Sequence, residues 1–138
     1  MNAGYAVGVS HSSDFQELKG LKVTVDRVVH QPNVATPPDR PHCFVYFISI
    51  HNGSDVAVTI KGRKWVVTDQ DGEVTAVEGD GVVGQFPTIE PGERFSYNSF
   101  HLLNTRFAVA QGSYLGVDET GRKVLARIPR FEMTVPEN

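Results

Sequence analysis

Turn-forming residues recur at short intervals along this chain, and that spacing limits what it can fold into. The 138 residues include 13 glycines and 8 prolines, which divide the sequence into short apolar runs. Long stretches with the 3.6-residue period of an amphipathic helix are nearly absent, so we expect few or no helices. Short alternating runs separated by turns are typical of an all-β sandwich or barrel.

Seven runs have the composition of β-strands. Residues 21–26 alternate between apolar and polar side chains, so one face of this strand should be solvated. Residues 43–51 are apolar on both faces, which predicts a central strand. The other five predicted strands are 56–69, 74–77, 94–99, 113–117 and 123–135. Seven strands favour an antiparallel sandwich of two sheets, immunoglobulin-like or fibronectin type III-like.

Two of the predicted strands change phase within their length. Apolar residues share one parity before Gly62 and the other parity after it, and a second change occurs at Pro129. One extra residue in a strand shifts the alternation in this way, so we predict a β-bulge near Gly62 and a bulge or an edge position at Pro129.

Charge and length exclude several classes of protein. The formal net charge is −3, which argues against a general nucleic-acid binder. The sequence contains no stretch of 18 apolar residues, which a membrane-spanning helix would need, and no secretory signal is evident. We therefore expect a cytoplasmic protein. We predict a flexible lead-in over residues 1–19 and one domain over residues 20–136. The single cysteine, Cys43, cannot form an internal disulfide and should be a small buried apolar residue.

A G-x-G-x-x-G string is the most conspicuous motif. It consists of Gly79, Asp80, Gly81, Val82, Val83 and Gly84. In a dinucleotide-binding fold a helix follows such a string, but here residues 85–92 contain two prolines and a glycine. A set of tight turns is the simpler interpretation, and binding of pyrophosphate through backbone N–H groups is the alternative.

Catalytic and metal-binding patterns are weak. The spacing places His30 and His42 near each other beside a proline-rich loop, but two histidines alone make a poor metal site. No local arrangement of nucleophile, base and carboxylate stands out. We therefore predict no catalytic residue, no metal site and no cofactor.

A second candidate surface lies between the predicted strands 94–99 and 113–117. This segment is interpreted as a connection, yet it is rich in apolar side chains. Such residues must either cap the core or mark a surface for a partner. The candidate partner-binding residues are Phe100, Leu102, Leu103, Phe107 and Val109.

Several motifs, taken together and in order, resemble the ApaG domain family. They are Gly62-Arg63-Lys64-Trp65, the glycine string, Pro87, Pro91-Gly92-Glu93, Gly112-Ser113-Tyr114, Gly121 and Ile128-Pro129-Arg130-Phe131. The resemblance covers about residues 20–136. It departs from the family at Phe100, where a glycine is usual, and at Ala110, where a methionine is common.

The resemblance implies a fibronectin type III-like sandwich and a role without established chemistry. Bacterial members are linked to cobalt resistance and magnesium efflux, and eukaryotic members attach the domain to ubiquitin-ligase adaptors and to a DNA polymerase-interacting protein. This usage is typical of a protein-interaction module. We therefore expect a non-catalytic module that binds a protein, with an edge strand that could also pair with a second copy. Binding of a nucleotide or pyrophosphate at residues 79–84 is the alternative.

Overall fold

A computed structural model describes residues 14–137, and every regular element in them is a β-strand. The nine strands are β1 (Gln16–Glu17), β2 (Leu21–His30), β3 (His42–Asn52), β4 (Val58–Asp69), β5 (Val74–Asp80), β6 (Thr88–Ile89), β7 (Arg94–Leu103), β8 (Phe107–Asp118) and β9 (Lys123–Thr134). The seven longer strands correspond to the seven that the sequence predicts. Two two-residue strands, β1 and β6, were not predicted. No helix in residues 14–137 is long and apolar enough to cross a membrane.

The strands form two sheets. The larger sheet has the order β1-β9-β8-β4-β5, with β6 also paired to β4, and the smaller sheet has the order β2-β3-β7. The pairings are antiparallel except for β1, which lies parallel to β9. The predicted all-β sandwich of two sheets is confirmed, and the arrangement is consistent with an immunoglobulin- or fibronectin type III-like fold.

The core fills the space between the sheets. In β3, Phe44, Tyr46, Ile48 and Ile50 are buried, as expected for the centre of the smaller sheet. The larger sheet contributes Trp65, which is only 2% exposed. Burying one large apolar side chain contributes roughly 1.5–3 kcal/mol, so this layer accounts for much of the stability.

Both predicted changes of phase are confirmed as irregularities in strand pairing. The register of β4 against β8 shifts between Ile60 and Gly62, and that of β9 against β8 shifts between Ile128 and Phe131. A third shift, between Val25 and Arg27 in β2, gave no clear signal in the sequence. The bulge at Gly62 sets the phase that turns Trp65 toward the core.

The interpretation of residues 100–109 as a connection is wrong. Strand β7 continues to Leu103 and β8 begins at Phe107, so only residues 104–106 connect them. The apolar residues in this region occupy strand positions, where alternation decides which of them are buried.

The ordered sandwich begins before the predicted boundary at residue 20. Gln16 and Glu17 pair with Val124 and Leu125 of β9, and Leu18 packs against the core. Most of the predicted lead-in, residues 1–13, lies outside the described residues.

Candidate functional site

A groove opens along one side of the sandwich, between the edge strands β5 and β7. Strands β2 and β9 pack closely along the other side, whereas β5 and β7 stay apart. The groove has a volume of about 490 Å³. This is in the range of roughly 300–1,000 Å³ that ligand sites in proteins occupy.

The groove exists because the two sheets differ in width. Val77 and Thr75 of β5 lie opposite Trp65 and Val67 of β4, so these side chains share the inner face of the larger sheet. The smaller sheet ends at β7, which leaves Val77 43% exposed. An inner sheet face without a covering strand is an incomplete part of the sandwich.

Arg63 lies at one end of the groove and is held by the glycine string. Its Nη1 donates to the carbonyl oxygens of Asp80 at 3.0 Å and Gly81 at 3.2 Å. Its other N–H groups have no acceptor among the described residues, and no carboxylate there pairs with it. The guanidinium thus keeps its positive charge and several donors facing the groove.

Three aromatic rings form the floor of the groove. The ring of Tyr46 lies 5.0 Å from Trp65 and 4.8 Å from His101, and His101 meets Trp65 edge-on at 4.8 Å. Trp65 Nε1 and His101 Nε2 are buried without a hydrogen-bond partner of normal geometry, although the indole N–H lies near the Tyr46 hydroxyl. Burial lowers the pKa of His101 to about 4, so the ring is neutral at pH 7.

A pair of tyrosines lies beneath this floor. The hydroxyls of Tyr97 and Tyr114 are hydrogen-bonded to each other between the sheets. Burial raises the pKa of both phenols and of Tyr46, and the nearby charge of Arg63 partly offsets the effect. The three phenols are therefore neutral. Among the groups that shift their pKa values, Arg63 alone carries a formal charge.

The other end of the groove is acidic. Asp39, Asp69 and Glu73 lie there with Arg40. One oxygen of Asp69 already accepts hydrogen bonds from the N–H groups of Asp71 and Glu73. The groove therefore has a cation at one end and an excess of carboxylates at the other.

The glycine string forms a tight turn, as the simpler interpretation of the sequence predicted. Val82 and Gln85 exchange both backbone hydrogen bonds, at 2.8 and 2.9 Å. The two residues between them, Val83 and Gly84, have φ angles of 44° and 79°, as a type I′ turn requires. The N–H of Gly81 donates to the carbonyl of Lys61. The N–H groups of Gly81 and Val82 within the string, and that of Gln85 after it, are thus occupied, so the geometry favours the turn. Pyrophosphate binding stays a prediction that titration would test.

The five predicted partner-surface residues do not form one surface. Phe100, Leu102 and Leu103 all lie at the groove, but Phe100 is 56% exposed, whereas Leu103 is 4% exposed and belongs to the core. Phe107 and Val109 are half-buried in β8, a central strand of the larger sheet. Only the β7 part of the prediction therefore lies at the groove.

Sequence reasoning did not single out Arg63 or His101. The signal for Arg63 was its position two residues before Trp65, since alternate residues of a strand share a face. Lys64 points the other way and lies 3.7 Å from Glu78. His101 gave no such signal, because its site depends on the meeting of β3, β4 and β7.

The remaining titratable residues are placed much as expected. The rings of His30 and His42 are 6.4 Å apart beside the proline-rich loop. Within residues 14–137, no three His, Cys, Asp or Glu side chains converge in the manner of a metal site. Cys43 is buried, and burial raises the pKa of its thiol.

Comparisons with a family model and with known proteins agree on one family. The family model described as the ApaG domain matches residues 32–118. Protein ApaG from Shewanella piezotolerans is 38% identical over 121 residues, covering 88% of this chain and 95% of the relative. Protein ApaG from Vibrio cholerae is 40% identical over 102 residues, covering 74% and 81%.

Solved structures agree. The crystal structure of the ApaA protein from Bordetella pertussis superposes with a TM-score of 0.75 at 30% identity, covering 90% of this chain and 99% of that one. An X-ray structure from a structural genomics programme gives a TM-score of 0.78 at 33% identity, covering 85% and 88%. The family resemblance noted in the sequence is confirmed, and this chain belongs to the ApaG domain family.

Proposed function

We propose that this chain is a non-catalytic module that binds an extended segment of another protein in the groove between β5 and β7. The observation that carries the proposal is the uncovered inner face of β5, next to the free edge of β7. A strand added to β7 would widen the smaller sheet by one strand and cover Val77 and Thr75. Strand addition of this kind supplies affinity through main-chain hydrogen bonds and specificity through pockets for alternate side chains.

Phe100 supports this proposal from the outer rim. It is 56% exposed on an edge strand, beside the groove. Aromatic side chains, Phe included, are enriched in protein interfaces relative to the rest of a protein surface. The exposed rim and the partly apolar floor together give a partner both a strand edge and an apolar contact.

The surroundings of Cys43 and His101 support the non-catalytic part of the proposal. The Cys43 thiol is buried with a raised pKa, so it stays protonated and is a poor nucleophile. His101 Nε2 has no hydrogen-bonded hydroxyl or thiol among the described residues that it could activate.

Family membership implies a contribution to cobalt resistance and magnesium efflux. On this proposal, the chain makes that contribution through the protein that it binds. A host strain lacking the chain can test this. We expect wild type to restore cobalt resistance and Phe100→Ser to fail. Equal complementation by both would separate the groove from this phenotype.

Peptide selection tests the binding role directly. A phage library of linear peptides is selected on the immobilised full chain, and the bound pool is then measured on two variants. Phe100→Ser removes the rim aromatic, and Phe86→Ser is the matched control, because Phe86 is 54% exposed and lies outside the groove lining. Both are exposed positions, so each variant should keep its stability within about 0.5 kcal/mol.

We expect the selected peptides to bind the wild type and Phe86→Ser alike and to lose binding to Phe100→Ser. Equal binding to the two variants, or no enrichment on the wild type, would overturn the proposal. Pairing of an edge strand with a second copy stays a prediction, and light scattering of the free chain would detect it as a dimer.

A further inference from the structure

The proposed function makes no use of Arg63, the cation at one end of the groove. The guanidinium donates through Nη1 to two backbone carbonyls, and these neutral acceptors leave its charge uncompensated. Within the described part of the chain it has no carboxylate within salt-bridge distance. A fixed, half-buried guanidinium of this kind is suited to a planar carboxylate, which it can bind through two parallel hydrogen bonds.

The surroundings of Arg63 add further polar groups. The buried Trp65 Nε1 has an N–H without a partner of normal geometry, and the Tyr46 hydroxyl lies near it. Both side chains line the groove with Arg63 and Ser99. The indole N–H itself is buried, so Arg63 supplies the donors that a ligand oxygen can reach at this end of the groove.

We propose that the Arg63 end of the groove is a carboxylate pocket that reads one Asp or Glu side chain of the bound segment. This inference rests on the proposed function, because the segment that carries the acid is the one added along β7. The groove thus selects its partner by one acidic residue at a fixed position, on the same face of the segment as an apolar residue that contacts Val77.

The length of β7 decides between a side chain and a chain terminus as the source of the carboxylate. Ser99 marks the Arg63 end of the groove, but β7 extends back from there to Arg94. A segment paired along the full length of β7 would run past Arg63, so we assign the carboxylate that meets Arg63 to an internal residue of the segment.

The charge at the other end of the groove fixes the position of the acid. Asp39, Asp69 and Glu73 outnumber the one cation there, Arg40. Arg63 and Asp69 are six residues apart on β4, or roughly 20 Å. A carboxylate at that end meets repulsion, whereas one at the Arg63 end meets attraction. Moving the acid along the segment by the length of the groove is therefore expected to abolish binding.

Parallel selection on the wild type and on Arg63→Gln tests the inference. We expect the wild-type pool to carry Asp or Glu at one fixed distance from an apolar residue, and the Arg63→Gln pool to lack that preference. A synthetic peptide from the wild-type pool is then compared with its Asp→Asn counterpart. The Asn peptide should bind the wild type about ten-fold more weakly, and the ratio on Arg63→Gln should be within about two-fold.

Two controls keep the test independent of folding. Gly79→Ala keeps Arg63 but displaces its guanidinium, because a Cβ there would lie 2.7 Å from Nη1. It should lose the preference for an acid in the same way as Arg63→Gln, with thermal unfolding recorded for both. Amidation of the peptide C-terminus should leave affinity unchanged, and loss of binding on amidation instead of on Asp→Asn would overturn the inference.

The two proposals fail in different ways. Peptides that lose binding to Phe100→Ser but carry no fixed acid, or that show the same Asp-to-Asn ratio on the wild type and on Arg63→Gln, would overturn the carboxylate pocket and leave the proposed function intact. Failure to obtain any peptide sensitive to Phe100→Ser would overturn both.

Discussion

The guanidinium of Arg63 occupies the space that a side chain at position 79 would need: a Cβ on Gly79 would lie 2.7 Å from Nη1. The first glycine of the string therefore makes room for a charged side chain of the neighbouring strand. Its two successors act on the backbone, since Gly81 and Gly84 both have positive φ angles. One motif thus combines a steric role and a turn-forming role, and neither of them requires a phosphate.

Replacing the glycines one at a time should separate these roles. In Gly79→Ala the clash is with the far end of the long Arg63 side chain, which can shift by giving up its hydrogen bonds to two carbonyls, so we expect a loss of at most about 1 kcal/mol. In Gly81→Ala the Cβ would lie 2.3 Å from the carbonyl oxygen of Gln85, at a φ of 64°, so we expect a loss of about 2 kcal/mol or more. Urea denaturation of the two variants measures the difference, and similar losses would contradict the assignment.

Val83 should be a stabilising site for substitution. It is a β-branched residue held at a φ of 44°, where asparagine and glycine are better tolerated. Its side chain is largely exposed, so little packing is lost on replacement. We expect Val83→Asn to raise the free energy of unfolding by about 1 kcal/mol. A lower melting temperature for Val83→Asn would show that the valine contributes a contact that outweighs the strain.

The Tyr97–Tyr114 hydroxyl pair should behave as a coupled unit. Removing one hydroxyl leaves the other buried without its partner, so Tyr97→Phe and Tyr114→Phe should each cost about 1–2 kcal/mol. The double variant should cost clearly less than the sum of the two single changes, because the two hydroxyls that share this hydrogen bond are removed together. Chemical denaturation of the four proteins gives the coupling, and strict additivity would argue against a shared hydrogen bond.

His101 should make stability fall in mild acid. Its pKa is lowered by burial to about 4 in the folded chain and is near 6.5 when unfolded, so between these values the unfolded state binds the extra proton. The free energy of unfolding is therefore not reduced by His101 above pH 6.5, and it decreases as the pH falls from 6.5 toward 4. We expect the melting temperature of the wild type to drop between pH 7 and pH 4.5, and that of His101→Phe to drop less. Parallel curves for the two proteins would contradict the lowered pKa.

Local features of the fold were predictable from the sequence because they depend on a few consecutive residues. The alternation in β2, the phase change at Gly62 and the turn after Asn52 all follow from local steric preferences. The turn is held, for example, by the N–H of Ser54, which donates to Asn52 Oδ1 at 3.0 Å. The Asn52 side chain also donates, through Nδ2, to the carbonyl of Ile89 at 2.8 Å. No local pattern encodes that second contact, because it joins residues 37 positions apart.

The candidate site was harder to predict, for the same reason. Phe100 was identified as a surface candidate through its apolar character, but its strand was placed too short. Alternation along β7 buries Leu103 and leaves Phe100 exposed, and that distinction requires the true end of the strand. The groove itself depends on the unequal widths of the two sheets, a property of the strand order that hydrophobic periodicity does not specify.

The most direct test of the account is to map a bound peptide on the ¹⁵N-labelled full chain by NMR. The probe is the peptide selected on the wild type, and the single tryptophan gives an isolated indole N–H signal at the floor of the groove. We predict that the amides of residues 99–103 in β7 and the Trp65 indole signal shift on titration, and that the β7 amides facing the free edge become protected from hydrogen exchange. Shifts confined to residues 82–85 or to the β1 and β2 edges, with the Trp65 signal unchanged, would contradict the assignment of the groove as the binding site.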